Sequence, residues 1–135
     1  MKNQYEDSLR NALIANFDDG DFAPLNALFA DSYTWGGWNV DDRQYVFTQD
    51  EFAQALKILD TMDASSHKLT NIWSIGDDIV LCEIDAFRKY QDLEFKGKMV
   101  NFFRFTDGRI THAGDICPHH LKPFWDAVKS RQRRL

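Results

Sequence analysis

The segment GRITHAGDICPHH, Gly108 to His120, gathers three of the four histidines, one of the two cysteines and an aspartate. Such residues hold metals, move protons or attack carbonyl carbons, and spacing decides among these chemistries. In a strand, side chains alternate between faces. Thr111, Ala113, Asp115 and Cys117 then point one way, and His112, Gly114 and Ile116 the other, unless a bulge intervenes. His119 and His120 follow Pro118 at the strand's end. A metal needs three or more ligands converging at about 2.0–2.3 Å. This spacing spreads them, and no HxxxH helix pattern is present, so no metal site is expected. Asp115 stands as an acid–base candidate, against a plain ion pair or hydrogen bond at the sheet's end. Cys117 reads as a small buried hydrophobe rather than a nucleophile.

A second group is aromatic. Tyr33, Trp35, Trp38 and Trp73 could line a pocket for a flat apolar ligand, or could simply pack a core.

With 135 residues the chain is sized for a single domain over residues 1–135. Aromatics make up 14% of it, including eleven Phe and four Trp, which is ample for a packed core. A net charge of −5 argues against nucleic acid as a partner, because such affinity rests on Lys and Arg at phosphates. The basic run Lys129 to Arg134 suits a helix C-terminus better than a nucleic-acid tail. No apolar run approaches a membrane span and the first residues lack a signal-peptide core, so a cytoplasmic location is expected.

Tyr5, Leu9, Ala12, Leu13 and Phe17 recur at helical spacing. After the breaker DDGD, Asp21 can cap a second helix with Pro24 in its first turn and Leu25, Leu28 and Phe29 as its apolar stripe. The stretch DSYTWGGWNVDDRQYVF reads as irregular, with short strand-like pieces around a Gly pair. Thr48 and Glu51 then form a capping box, flanked by the staple pair Phe47 and Phe52, and open a third helix whose face runs to Met62. Beyond Ala64 the period turns to strands joined by short turns, which implies antiparallel pairing. The segment LKPFWDAVK closes the chain as a short helix offering Phe124, Trp125 and Val128 to the core. Helices followed by a meander make an α+β fold.

The strand MVNFFRF is apolar on both faces, Phe103 and Phe105 on one side, Val100 and Phe102 on the other. A second subunit is the natural cover for the outer face, so a homodimer is expected. Cys82 and Cys117 lie on next-but-one strands, roughly 9–10 Å apart, too far for a disulfide.

The ordered pieces FDDGDFAPLNALFADSYTW, YVFTQDEF, HKLTNIWSIGDDIVLCE and NFFRFTDGRI resemble the nuclear-transport-factor-2-like superfamily, in particular its SnoaL-like branch, over about Tyr5 to Val128. The resemblance implies a cone-shaped fold, with three N-terminal helices packed on a strongly curved, mostly antiparallel sheet round a deep apolar pocket, usually in a dimer. It implies a small apolar or aromatic ligand and no cofactor. The superfamily holds isomerases, cyclases, dehydratases, non-catalytic subunits and transport factors, so fold alone does not choose among them. At the proton-transfer positions of the ketosteroid isomerases this chain has Leu13, Gly37 and Asn101; the first two cannot move a proton, while Asn101 could donate to an oxyanion. Scytalone- and bile-acid-type dehydratases are matched better. His67 opens HKLTNIW as their catalytic histidine does, and Asp18 in FD stands where scytalone dehydratase carries an aspartate. Phe17 replaces that family's tyrosine, and a second histidine has no counterpart near Lys89 and Tyr90.

Dehydration or isomerisation beside a carbonyl needs a group that takes and returns a proton. Histidine, with an ordinary pKa near ~6.5, can do both, and an aspartate on its other nitrogen would fix the tautomer. The expected catalytic set is therefore His67 with Asp18, and Asp115 in reserve. The expected substrate contacts are Phe17, Tyr33, Trp35, Trp38, Trp73, Tyr90, Asn101 and Phe103. The rival expectation is a non-catalytic module that binds a ligand or a partner protein.

Overall fold

The computed structural model describes residues 1–38, 44–48, 57–116 and 122–133, without the side chains of 37–38, 44–48 and 122. Helix α1 spans Glu6–Asp19 and α2 spans Ala23–Leu28. Strands follow at β1 Phe29–Trp38, β2 Gln44–Thr48, β3 Ala64–Ile75, β4 Ile79–Tyr90, β5 Leu93–Thr106 and β6 Arg109–Ile116, and α3 Lys122–Gln132 ends the described chain. The architecture is α+β, as expected. The capping box and most of the expected third N-terminal helix fall outside the described residues. The described tail of that segment, Lys57–Thr61, is a 3-10 turn rather than an α-helix.

Leu9, Ala12 and Leu13 bury the inner face of α1, one turn apart as its stripe requires. Gly20, with φ of 67°, ends the helix: its N–H and that of Asp21 donate to the Asn16 and Ala15 carbonyls. Glu6 accepts bonds from Ser74 Oγ (3.0 Å) and Arg10 (3.1 Å), fastening the start of α1 to β3. The N-cap of α2 is Phe22 rather than the expected Asp21; Asp21, one residue earlier, accepts the Ala23 N–H at 3.3 Å, and Pro24 occupies the first turn. Phe29, assigned by its spacing to the α2 stripe, instead starts β1 and is fully buried.

The six strands form one sheet in the order β2-β1-β6-β5-β4-β3. Every neighbouring pair is antiparallel except β1 and β6. The short strand-like pieces expected around WGGW are part of one continuous strand through Trp38, and the sheet is mixed. The parallel contact depends on glycine: a Cβ at Gly114 would lie 1.3 Å from the Gly36 carbonyl oxygen on β1.

Two bulges set which side chains face inward. The β5–β6 turn has two residues, Asp107 and Gly108, both at positive φ as a type I′ turn requires. Thr111 is then the extra residue, since Phe105 pairs with Ile110 and Arg104 with His112. This puts Ile110, Ala113 and Asp115 on the inner face and leaves Thr111 off it. On β3 the pairing skips Thr70, so His67 and Leu69 face inward before the bulge and Ile72 and Ser74 after it.

The main core lies between the inner sheet face and α1 and α2, with Tyr5 stacked on Phe105 at 4.1 Å. A second core under α3 holds Ala86, Tyr90, Phe95, Phe124 and Val128. Phe103 and Phe105 take the inner side of β5, while Val100 and Phe102 are half-buried on the outer side.

Candidate functional site

Between these two cores the inner sheet face leaves a cavity of about 650 Å³. Leu13, Phe17, Phe22, Leu25, Ile84 and Phe103 form its apolar wall. His67, Arg88, Asn101 and Asp115 supply polar groups, one from each of strands β3 to β6.

Strand alternation explains why these four converge. On β4 the buried positions are Val80, Cys82, Ile84, Ala86, Arg88 and Tyr90, at period two. Arg88 thus lies on the core face and is 5% exposed. His67 pairs with Ala86 across β3–β4, two residues from Arg88 along the strand. Asn101 pairs with both Cys82 and Asp115 across its two neighbours.

Arg88 Nη2 approaches His67 Nε2 at 2.8 Å. Guanidinium can only donate, so Nε2 is the acceptor and the ring proton sits on Nδ1. Burial, and then the Arg88 charge, lower the His67 pKa to about 4, so the ring is neutral at pH 7. The Phe17 ring stacks on it at 5.3 Å. Arg88 also donates to Met99 Sδ (3.4 Å) and lies 5.1 Å from the centre of the Trp125 ring. Burial lowers its own pKa to about 10, against the opposing pull of Asp115, and it remains a cation. Asn101 Nδ2 donates to Asp115 Oδ1 at 2.5 Å and to the Gly114 carbonyl at 3.4 Å.

The depressed His67 pKa makes a stability prediction with a definite sign. The folded ring binds protons more weakly than the unfolded one, so its stabilising effect is complete above pH ~6.5 and is lost as pH falls towards about 4. Urea denaturation at pH 7 and at pH 4.5 should show wild type losing about 2 kcal/mol more than His67→Gln, allowing for partial exposure. Equal losses in the two proteins would rule out the buried neutral ring.

Several expected site residues are brought together here: Phe17, Trp35, His67, Asn101, Phe103 and Asp115 all line the cavity. Others are not. Asp18 is exposed, because it lies about 100° round the helix from the cavity-lining Phe17. The expected His67–Asp18 pair is not formed, and Arg88 occupies that role of partner. Trp73 is on the outer face and 40% exposed, turned there by the Thr70 bulge. Tyr33 is buried against Phe29 at 4.3 Å rather than lining the cavity. Tyr90 belongs to the second core. The Trp38 side chain and Cys117 lie outside the described residues, as do His119 and His120. His112 is exposed beside Thr111. Among the described residues no three His, Cys, Asp or Glu side chains are placed to share a metal ion. Cys82 is a free, fully buried thiol whose pKa is pushed up by that burial, which leaves it unreactive. The basic residues Lys129 and Arg131 stand in the last turn of α3, where Arg131 pairs with Asp92. No described helix is long and apolar enough to cross a membrane.

Sequence reasoning missed Arg88 and the cavity role of Trp125. For Arg88 the signal was present: the alternation that marks Val80, Cys82, Ile84 and Ala86 as inward continues to it.

No family model and no curated protein matches the chain by sequence. Solved structures do match it in fold. A proposed polyketide cyclase from Xanthomonas campestris aligns with TM-score 0.64 at 17% identity, over 84% of this chain and 90% of its own. An LEH-like epoxide hydrolase of Mycobacterium tuberculosis aligns with TM-score 0.59 at 21% identity, over 79% and 77%. A ketosteroid-isomerase-like protein from Catenulispora acidiphila, solved with trimethylamine, aligns with TM-score 0.61 at 18% identity, over 84% and 85%.

Proposed function

We propose that this chain, which has the nuclear-transport-factor-2-like fold in its SnoaL-like form, is a cofactor-independent lyase or isomerase. It binds a small apolar or aromatic molecule in the cavity, under a sheet curved into a cone, and moves one of that molecule's protons with His67. The single observation that carries this reading is the His67 ring on the cavity wall with Arg88 Nη2 at 2.8 Å from its Nε2.

The chemistry follows from the tautomer. With Nε2 accepting from Arg88, the Nδ1–H is a donor able to polarise a substrate carbonyl. When Arg88 turns to an oxygen of the substrate, Nε2 is released as a base. The guanidinium then stabilises negative charge developing on that oxygen, in a site where apolar walls keep the dielectric low. Asn101 becomes a further donor to such an oxygen by giving up its long 3.4 Å bond to the Gly114 carbonyl, and Asp115, which it orients with its other N–H, is the second proton carrier. Arg88 thereby replaces the tyrosine hydroxyl that Phe17 cannot supply. Asp18, exposed, has no part in the step.

A cytoplasmic homodimer is the accompanying expectation. On the outer face Trp73 and Ile75 are exposed and Val100 and Phe102 half-buried, an apolar area suited to a second copy.

The test is proton exchange. Aromatic β-hydroxy ketones incubated with the protein in deuterated water should gain deuterium next to the carbonyl, or lose water, and the His67→Gln protein should do neither. Tight binding of the same compounds without exchange or elimination would instead mark a non-catalytic binding module.

A further inference from the structure

Arg88 is a buried cation whose described contacts are all neutral. They are the His67 ring nitrogen at 2.8 Å, the Met99 sulfur at 3.4 Å and the Trp125 ring. Its Nε is buried without a hydrogen-bond partner. No described carboxylate comes within ion-pair distance of it; Asp115, on the same cavity wall, spends its described bond on Asn101. Desolvating a guanidinium costs several kcal/mol, and natural proteins normally offset that with a paired carboxylate. Here the space in front of the group is the cavity itself.

We infer that the cavity takes an apolar carboxylic acid, as its carboxylate, with the carboxylate oxygens paired to the Arg88 guanidinium and the apolar body lying against Phe17, Trp35 and Phe103. Guanidinium presents a planar fork that matches a carboxylate bidentately, and it binds carboxylates better than it binds neutral carbonyls. The Trp125 ring holds the fork from one side and so limits its orientation. A carboxylate on Arg88 also draws the guanidinium from His67 Nε2, so the group that anchors the ligand frees the base; with the fork occupied in this way, charge developing on a carbonyl oxygen of such a ligand falls to the Asn101 amide rather than to Arg88. This rests on the reading of the cavity as a small-molecule site and narrows the substrate class within it.

The experiment compares 2-naphthoate with 2-naphthamide, nearly equal in shape and differing in charge, by calorimetry at pH 7. Naphthoate should bind wild type about tenfold tighter or more. Arg88→Met should abolish that preference while retaining naphthamide binding, and Arg88→Lys should keep part of it. Equal affinity in wild type, or a preference for naphthoate that survives Arg88→Met, would overturn the carboxylate assignment and leave the binding cavity standing. No binding of either compound would overturn both. The wild-type comparison decides by itself if the variants do not fold.

Discussion

Replacing His67 with alanine should lower turnover by about 10²–10⁴ with the fold preserved, the range by which general acid–base groups accelerate proton transfer. The ring is half-buried at the edge of the main core, and its contacts are one hydrogen bond to Arg88 and one stack on Phe17. Removing it leaves Arg88 with one acceptor fewer, which costs about 1–3 kcal/mol. His67→Gln separates the two roles, because glutamine retains an acceptor but cannot carry a proton near neutrality. Turnover should fall as far in His67→Gln as in His67→Ala, while its melting temperature stays closer to wild type. Substantial turnover in the glutamine protein would mean that His67 positions Arg88 and does no chemistry. The readout is kcat on any compound that exchanges or eliminates, paired with thermal unfolding of each variant.

Gly114→Ala should be strongly destabilising. Its Cβ would stand 1.3 Å from the Gly36 carbonyl oxygen, which is backbone and cannot turn aside as a side chain could. Relief requires β1 and β6 to separate along the pairs Gly36–Gly114 and Gly37–Asp115. Overpacking costs typically ~1–3 kcal/mol, and more where backbone must move, so a loss of about 3 kcal/mol or greater is expected. That is a large fraction of the stability of a domain this size. The damage should reach the site, since Asp115 follows Gly114 directly and pairs with Asn101. Urea denaturation measures it; a loss under about 1 kcal/mol would show that the strands do not approach as described.

What the sequence made legible was whatever obeys a local period. The α1 stripe of Leu9, Ala12 and Leu13 followed from spacing alone, as did the sharing of one strand face by Phe103 and Phe105, while which of the two faces of that strand turns inward did not. So did the separation of His112 from Asp115, though the Thr111 bulge altered which residues share the inner face. Bulges break that logic because one extra residue inverts every later side chain. From His67 a regular strand carries Trp73 inward; Thr70 adds the residue that turns it out. The parallel pairing of β1 with β6 was not legible either, because it depends on close approach at Gly36 and Gly114, far apart in sequence. Asp18 was chosen by its position relative to a family, and helix geometry removed it from the cavity. Arg88 was passed over although the alternation along β4 already placed it among buried positions. A charged residue continuing an apolar stripe was the most informative unused signal in the chain.

Ring-proton NMR of the four histidines reads the state of His67 beside Arg88 on the cavity wall. His67 should titrate with a midpoint of about 4. Arg88→Met should raise that midpoint without restoring the ordinary value near ~6.5, because burial is the larger cause and survives the substitution. A wild-type midpoint at or above ~6.5, unmoved by Arg88→Met, would place the ring in solvent or beside a carboxylate and contradict the site described.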